Sequence, residues 1–320
     1  MIARKSVTCV ITMLAVSYSA WIVSAGIIAY HFHTIVPLTG IWTIIVFPVI
    51  ASILILGLFK ILLFLFLPNS SALIGILLTS LSNGLIHIVE MLASIGFSHF
   101  LIGSIPVVII AVYYAAVIFA GYFYLKNNTA KYVITAGLLA VATLPIGFLN
   151  IMSTDQGELK MTCLDVGHGQ ALLAELPGGK NILFDAGSMH KSDIGTKIIL
   201  PFLRSRGIRK IDAIVISHND IDHLNGIPEI VKETAVKNVY ANKAFLQISS
   251  RRNSAGYLKT ILKEEGIEIK EPPESIDRDN VIKIIWPDEH TIKNKSLSDN
   301  DKSSVIMVAF ADRKILIGSD

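Results

Sequence analysis

Between Ser217 and Gly226 the chain places His218, Asp220, Asp222 and His223 within six residues. Imidazole and carboxylate together suit zinc or manganese, and three or four protein ligands per ion leave a position for water. The preceding run, residues 211–217, is β-branched and apolar and predicts a buried strand. Past the loop, Pro228 stands near a first turn and apolar residues recur at helical spacing, which predicts a helix starting near Leu224. The four side chains therefore sit at the carboxyl end of a strand, where open α/β sheets place their chemistry. A tight loop there aims alternate side chains at two neighbouring points. The competing use is a polar strand-to-helix loop with Asp222 or His223 as a cap. Two His and two Asp at this spacing after a buried strand favour metal.

The elements that must position this loop occupy only half of the chain. The 320 residues are 52% hydrophobic and 17% charged, against about 25% charged in an ordinary soluble protein. Residues 1–150 hold five Lys/Arg (Arg4, Lys5, Lys60, Lys126, Lys131) and one acid, Glu90, a net +4; residues 151–320 hold the other 23 bases and 24 acids, a net −1. The sequence thus divides into a membrane domain, 1–150, and a soluble domain, 151–320. The near-neutral soluble half makes no global electrostatic case for nucleic acid. Cys9 lies in an apolar span and Cys163 in a predicted strand, so no disulfide framework is implied.

Residues 6–30, 41–67, 105–125 and 132–149 read as spans of a bilayer about 30 Å thick. Pro48 interrupts the second. Residues 72–95 are weaker, because Asn83, His87 and Glu90 fall along one helix face. Ionisable groups at membrane depth hint at a polar path, and a segment lying flat at the interface would place the same groups in water. Arg4/Lys5 and the Lys126–Lys131 loop are the basic markers, and basic residues concentrate on the cytoplasmic side. Counting 72–95 puts four spans between them, which places both inside, gives five spans in all, and leaves the soluble half outside the cell membrane.

In the soluble half, residues 158–166, 171–176 and 181–185 read as strands. Gly167-His168-Gly169-Gln170 is a tight turn and Pro177-Gly178-Gly179-Lys180 a hairpin. Residues 194–206 read as a helix ended by Gly207. After the metal loop come strands at 236–241, 267–270 and 281–285, a helix at 254–265, and a hairpin of 304–310 with 314–317 around Ala311-Asp312-Arg313.

The loop resembles the metallo-β-lactamase superfamily signature H-x-H-x-D-H, with Asp220 at the second His. H-x-D-x-D-H is the form associated with ComEC-type competence proteins, the membrane channels of natural DNA uptake. Leu164-Asp165-Val166-Gly167-His168-Gly169-Gln170-Ala171 is similar to that family's LDVGQGDA, and Ile182–Gly187 to its strand ending in Asp-x-Gly. Pro201-Phe202-Leu203, Gly207-Ile208 and Ile211-Asp212 resemble its approach to the metal loop. Asn300-Asp301-Lys302-Ser303 is similar to its N-D-x-S strand, Gly318-Ser319-Asp320 stands where it has a Gly-Asp pair, and Ala29–Phe32 with Pro48 resembles the later part of its membrane domain. His168, Gln170 and Ser319 depart from the family residues. Relative to that family the chain starts late and stops at Asp320, so it reads as a fragment lacking at least one ligand.

The resemblance implies a multi-span α-helical membrane domain followed by an α/β metallo-β-lactamase-like domain, an αββα sandwich truncated at its C-terminal end. It implies two divalent ions, Zn or Mn, with His218 and Asp220 on one, Asp222 and His223 on the other, and Asp320 between them. Asp185 would orient a ligand His, with Asn300 and Ser303 also behind the ligands. Such a pair serves in-line displacement with water as the nucleophile, and no protein base is required. The implied partner is single-stranded DNA, with other proteins of the competence machinery. The bases Arg204, Arg206, Arg209 and Lys210 are candidate phosphate contacts or, alternatively, a solvated helix end. Two other functions compete: a membrane-anchored metallohydrolase acting on a different substrate, and a transport protein whose hydrolase-like domain is a docking module.

Overall fold

The computed structural model describes residues 2–126, 157–248, 253–276 and 281–319. The chain forms two compact units, Met1–Leu149 and Asn150–Asp320.

In the first unit, helix α1 (Ile2–Phe32) is followed by α2 (Thr39–Phe66), α3 (Pro68–Ala93) and α4 (Val107–Lys126). Strand β1 (Thr34–Ile35) pairs antiparallel with β2 (Phe100–Leu101). Val10–Phe32 of α1, α2 and α3 are each long and apolar enough to cross a membrane, and α4 holds a shorter apolar stretch, Val107–Phe119. Residues 72–93 of the weak segment belong to one continuous helix that starts at Pro68 and ends at Ala93. Pro68 opens it because the first turn of a helix needs no proline N–H. Pro48 lies inside α2 without ending it. Tyr113 Oη donates to Ile22 O at 2.6 Å and Tyr114 Oη to Val23 O at 2.8 Å, joining α4 to α1 beside Gly26, where a Cβ would meet both rings. On α3, His87 Nδ1 lies 3.3 Å from Glu90 Oε2, and Asn83, His87 and Glu90 are all exposed within the unit. The expected fifth span, 132–149, lies outside the described residues.

The second unit is built on strands β3 (Lys160–Cys163), β4 (Leu172–Leu176), β5 (Lys180–Phe184), β6 (Lys210–Ile211), β7 (Ala213–Ile216), β8 (Ala235–Val236), β9 (Val239–Ala241), β10 (Ile269–Lys270), β11 (Ile282–Trp286), β12 (Val305–Phe310) and β13 (Arg313–Ile317). The main sheet has the order β10-β9-β7-β5-β4-β3. Its first four strands run parallel and β4 and β3 antiparallel. A second sheet has the order β11-β12-β13.

Period-two alternation decides the layers. Ile182 and Phe184 of β5 and Ala213 and Val215 of β7 point into a core shared with Ile282, Ile306, Val308 and Ile317 of the second sheet. Leu183, Ile214 and Ile216 point the other way, into a core closed by Ile199, Leu203, Ile230, Phe245, Leu258 and Leu262 from the helical segments. Helices, main sheet and second sheet are thus three successive layers. Every residue of β7 is buried, as a central parallel strand covered on both faces requires.

Two expected strands are each divided. Residues 211–217 separate at Asp212 into β6, which pairs with β8, and β7, which joins the main sheet. Residues 236–241 likewise separate into β8 and β9. The expected helix at 194–206 opens as a π turn, Gly195–Ile199, before the α-helix Leu200–Ser205, and ends at Gly207 with φ +72°. Gly195 fits there because a Cβ would lie 2.6 Å from Glu229 Oε2.

Candidate metal centre

Strands β5, β7 and β9 run parallel, so their carboxyl ends lie along one edge of the main sheet. The residue immediately after each strand is polar and buried: Asp185 after β5, Ser217 after β7, Asn242 after β9. Parallel pairing alone brings these three together at the root of the metal loop.

The loop leaves β7 through Ser217 and His218 and enters a short helix, Ile221–Leu224, with Asp220 at its N-cap position. Asp220 makes no side-chain cap hydrogen bond. Its Oδ2 instead lies 3.2 Å from His218 Nε2. That contact lacks hydrogen-bond geometry, and His218 Nε2 is buried without a hydrogen-bond partner. His218 is 2% exposed, whereas the Asp220 side chain is 46% exposed. Beside them the Asp222 Oδ2 lies 3.9 Å from His223 Nε2, and both residues are buried. The two imidazole rings are 4.2 Å apart between centroids, tilted by 53°.

The far nitrogen of each ring is held. Asp185 Oδ2 lies 2.9 Å from His223 Nδ1, and Asp185 Oδ1 accepts from Ser217 N at 2.8 Å. An ionised carboxylate only accepts, so a neutral His223 paired with it would carry its proton on Nδ1 and keep its lone pair on Nε2. His218 Nδ1 lies 3.0 Å from both Ser217 Oγ and Ser319 Oγ. Asp185 occupies the left-handed region, φ +54°, which costs on the order of 1–3 kcal/mol and aims its carboxylate back over β7.

Two glycines let the neighbouring turns close onto the loop. A Cβ on Gly187 would lie 2.1 Å from the carbonyl carbon of Asp222, and one on Gly169 would lie 2.6 Å from Asp222 O. Gln170 N donates to that same oxygen at 3.2 Å. The Gly-His-Gly turn is therefore a backbone seat for the metal loop. Asn242 ties the site to the second sheet: its Nδ2 donates to Lys302 O at 2.9 Å and to Ser304 Oγ at 2.9 Å and reaches Ser217 O at 3.3 Å.

The donor set fits a divalent cation: a buried imidazole nitrogen without a partner faces a carboxylate, beside a second imidazole–carboxylate pair. The four donors stand as two pairs; among the described residues no group of three His, Cys, Asp or Glu side chains converges on one point. Asp320 lies outside the described residues. Ser303 is buried near Ser304, which donates its N–H to Ser217 O at 3.0 Å, and Asn300 opens the short 3-10 turn Asn300–Lys302 beneath them. Arg204, Arg206, Arg209 and Lys210 precede β7, at the end of the strand opposite the metal loop. Arg204 pairs with Glu233, Arg206 Nη2 with Glu175 Oε2 at 2.6 Å, and Lys210 Nζ with Asp212 Oδ1 at 2.8 Å. The structure does not bring these bases to the site.

Sequence reasoning assigned no role to Ser217, Asn225, Asn242, Ser304 or Ser319. Ser217 and Asn242 share a usable signal, the first residue past a parallel strand. Asn225, Ser304 and Ser319 act through contacts that no local pattern announces.

Comparison with known proteins assigns each half to a class. Residues 1–127 match the family described as competence protein, and residues 164–281 the metallo-beta-lactamase superfamily. A competence-protein match over helices long and apolar enough to cross a membrane is thus followed, in the same chain, by a metallo-β-lactamase match over an α/β domain. Among curated proteins it is similar to ComE operon protein 3 of Bacillus subtilis (strain 168), 23% identical over 58% of this chain and 24% of that protein. It is also similar to competence protein ComA of Neisseria gonorrhoeae, 32% identical over 24% of this chain and 11% of that one. The chain spans about a quarter or less of the length of these relatives. Among solved structures, Zn²⁺-bound PqqB from Methylobacterium extorquens aligns with 47% of this chain and 52% of its own, at 10% identity and TM-score 0.32.

Proposed function

We propose that this chain acts in DNA uptake across the cell membrane during natural transformation. In this reading the membrane domain passes single-stranded DNA and an extracytoplasmic metal-dependent domain cuts or guides it. The observation that carries the reading is the union, in one chain, of competence-type helices with two imidazole–carboxylate pairs, their imidazoles buried, at the carboxyl ends of the parallel strands. A hydrolase loop alone serves many substrates, and apolar helices serve many transporters. Joined, they suit a substrate that is both cut and carried. Other proteins of the competence machinery would be its partners.

His218 and Asp220 would hold one divalent ion, Zn or Mn, and Asp222 and His223 a second, with Asp320 between them. When bound, such ions supply Lewis acidity and draw the pKa of water toward neutrality, which suits phosphodiester hydrolysis. The chain's own residues do the rest. Asp185 fixes the tautomer of His223, Ser217 and Ser319 fix the plane of His218, and burial of both rings keeps bulk water from competing for their nitrogens. Asn83, His87 and Glu90 would face the polar path of the membrane domain.

In a transformable host, deletion of the gene should abolish DNA uptake, and Asp220→Ala should reduce nuclease activity on the outer face of the membrane. Normal transformation after deletion would instead favour a membrane-anchored metallohydrolase with another substrate. Uptake and nuclease activity both unchanged in Asp220→Ala would make the α/β domain a docking module.

A further inference from the structure

Beside the metal loop stands a second pair of histidines that the reading above leaves without a role. The rings of His168 and His190 stack with centroids 5.9 Å apart and planes 27° from parallel, within the spacing of offset aromatic pairs. Both residues are exposed, and so is Lys191. Lys191 Nζ reaches to within 4.0 Å of the position a Cβ would take on Gly167. Packing does not require rings at these exposed positions.

Their backbone supports are rigid and lead directly to the metal loop. Met189 N donates to His168 O at 2.7 Å, and Gly187 N to Gln170 O at 3.0 Å, so the two turns are laced together. Asn225, one residue past the helix of the metal loop, accepts from Ser188 N and donates to Ser188 O and Lys191 O at 2.8 and 2.9 Å. Ser188 Oγ donates to Val166 O at 2.7 Å. Gln170 N and the close approach at Gly187 fix the same turns to the backbone of Asp222. Two stacked rings and one lysine are therefore carried on a backbone frame shared with the candidate metal ligands.

We infer that His168 and His190 form a stacking platform for an unpaired nucleobase, with Lys191 on the adjoining phosphate, at the entrance to the metal loop. The inference rests on the proposed action on single-stranded DNA and goes further, because it names the side chains that would hold the strand. A paired base has both faces occupied in the duplex, whereas a single strand can lay one base on the platform. Arg204, Arg206 and Lys210 are ion-paired at the other end of β7, so the platform is the candidate contact on the metal-loop side.

The test uses the full chain in detergent with chelator present, so that binding is read without cleavage. The probe is a single-stranded oligonucleotide carrying 2-aminopurine, whose fluorescence falls on stacking. Wild type should bind and quench it. His168→Ala with His190→Ala should lose the quench and weaken binding at least about fivefold, the loss of one stacked base. His168→Phe with His190→Phe should restore both. Lys191→Ala should lower the salt dependence by about one phosphate contact. Wild type that binds the strand, with the double Ala variant binding and quenching equally, overturns the platform and leaves the DNA reading standing. Phe variants as weak as Ala overturn it too, as does a metal content one ion lower in the double Ala variant than in wild type, measured before chelator is added. Wild type that fails to bind single strands sinks both readings.

Discussion

Asp185 and His223 lie 38 positions apart in sequence, yet the Asp185 carboxylate sits 2.9 Å from His223 Nδ1 with both side chains almost fully buried. The pair exists because β5 and β7 are parallel neighbours and the chain turns through a left-handed Asp185 as it leaves β5. The same carboxylate holds Ser217 N, so one side chain sets both the root of the metal loop and the tautomer of a candidate ligand. Asp185→Asn should keep the fold and weaken metal binding by about 10–100-fold. Asp185→Ala should also cost about 1–3 kcal/mol for each of the two buried donors that lose their acceptor. Competition with a chromophoric chelator and thermal unfolding measure the two effects; unchanged metal affinity in Asp185→Asn would exclude the orienting role.

Gly187 faces the Asp222 backbone so closely that a Cβ would overlap it at 2.1 Å. Backbone cannot swing aside as a flexible side chain can. Gly187→Ala should therefore displace the metal loop and reach or exceed the upper end of the about 1–3 kcal/mol cost of overpacking. Gly178→Ala is the control: φ is +83° but nothing lies within 4 Å, so it should cost only about 1–2 kcal/mol of left-handed strain. Hydrogen exchange of the β7 amides in the full chain would separate the two. Equal protection in both variants would show that the close approach does not matter.

Asn242→Ala should leave Ser304 Oγ and the carbonyls of Ser217 and Lys302 short of a donor, at about 1–3 kcal/mol for the buried group. Because Asn242 joins the metal loop to the start of β12, metal affinity should fall with stability. A variant that loses stability and keeps full metal affinity would confine Asn242 to packing.

Most of what local pattern can encode was legible in the residues. Whereas Ala311 at positive φ is held by the strands it joins, the strands β4, β5, β12 and β13 and the turn at Gly178-Gly179, both glycines at positive φ, follow from residue type. So do the four donors of the metal loop. What escaped depends on contacts across long separations. The break of residues 211–217 at Asp212 arises because β6 finds β8 while β7 finds β5 and β9. Charge alone leaves Arg204, Arg206, Arg209 and Lys210 open between phosphate contacts and a solvated helix end. Glu233, Glu175 and Asp212, which engage three of them, come from elsewhere in the fold or the strand edge.

Four helices, α1–α4, separate Arg4 and Lys5 from Lys126. If each crosses the bilayer, both basic markers share the cytoplasmic side, and a fifth span at 132–149 carries the α/β unit outside. Cys163 is a free, exposed thiol in that unit and serves as a native reporter. A membrane-impermeant maleimide should label it in intact spheroplasts, and Cys163→Ser should abolish the labelling. Labelling only after lysis would place the unit in the cytoplasm and would require one of the helices not to span.

The number of bound ions is the sharpest test of the metal loop. Its donors form two pairs, His218 with Asp220 and His223 with Asp222. One ion shared by all four and one ion per pair are both chemically reasonable, and the pairs predict different stoichiometries. Purified protein should hold about two Zn or Mn ions per chain. Asp222→Ala with His223→Ala should leave about one, because His218 keeps its serine supports and Asp220 does not depend on the second pair for its position. Asp220→Ala should spare the ion on Asp222 and His223, since Asp185 holds His223 independently. Elemental analysis of the three proteins decides. Loss of all metal in either variant would mean a single shared site, and absence of stoichiometric metal in wild type would remove the hydrolytic reading of the α/β domain.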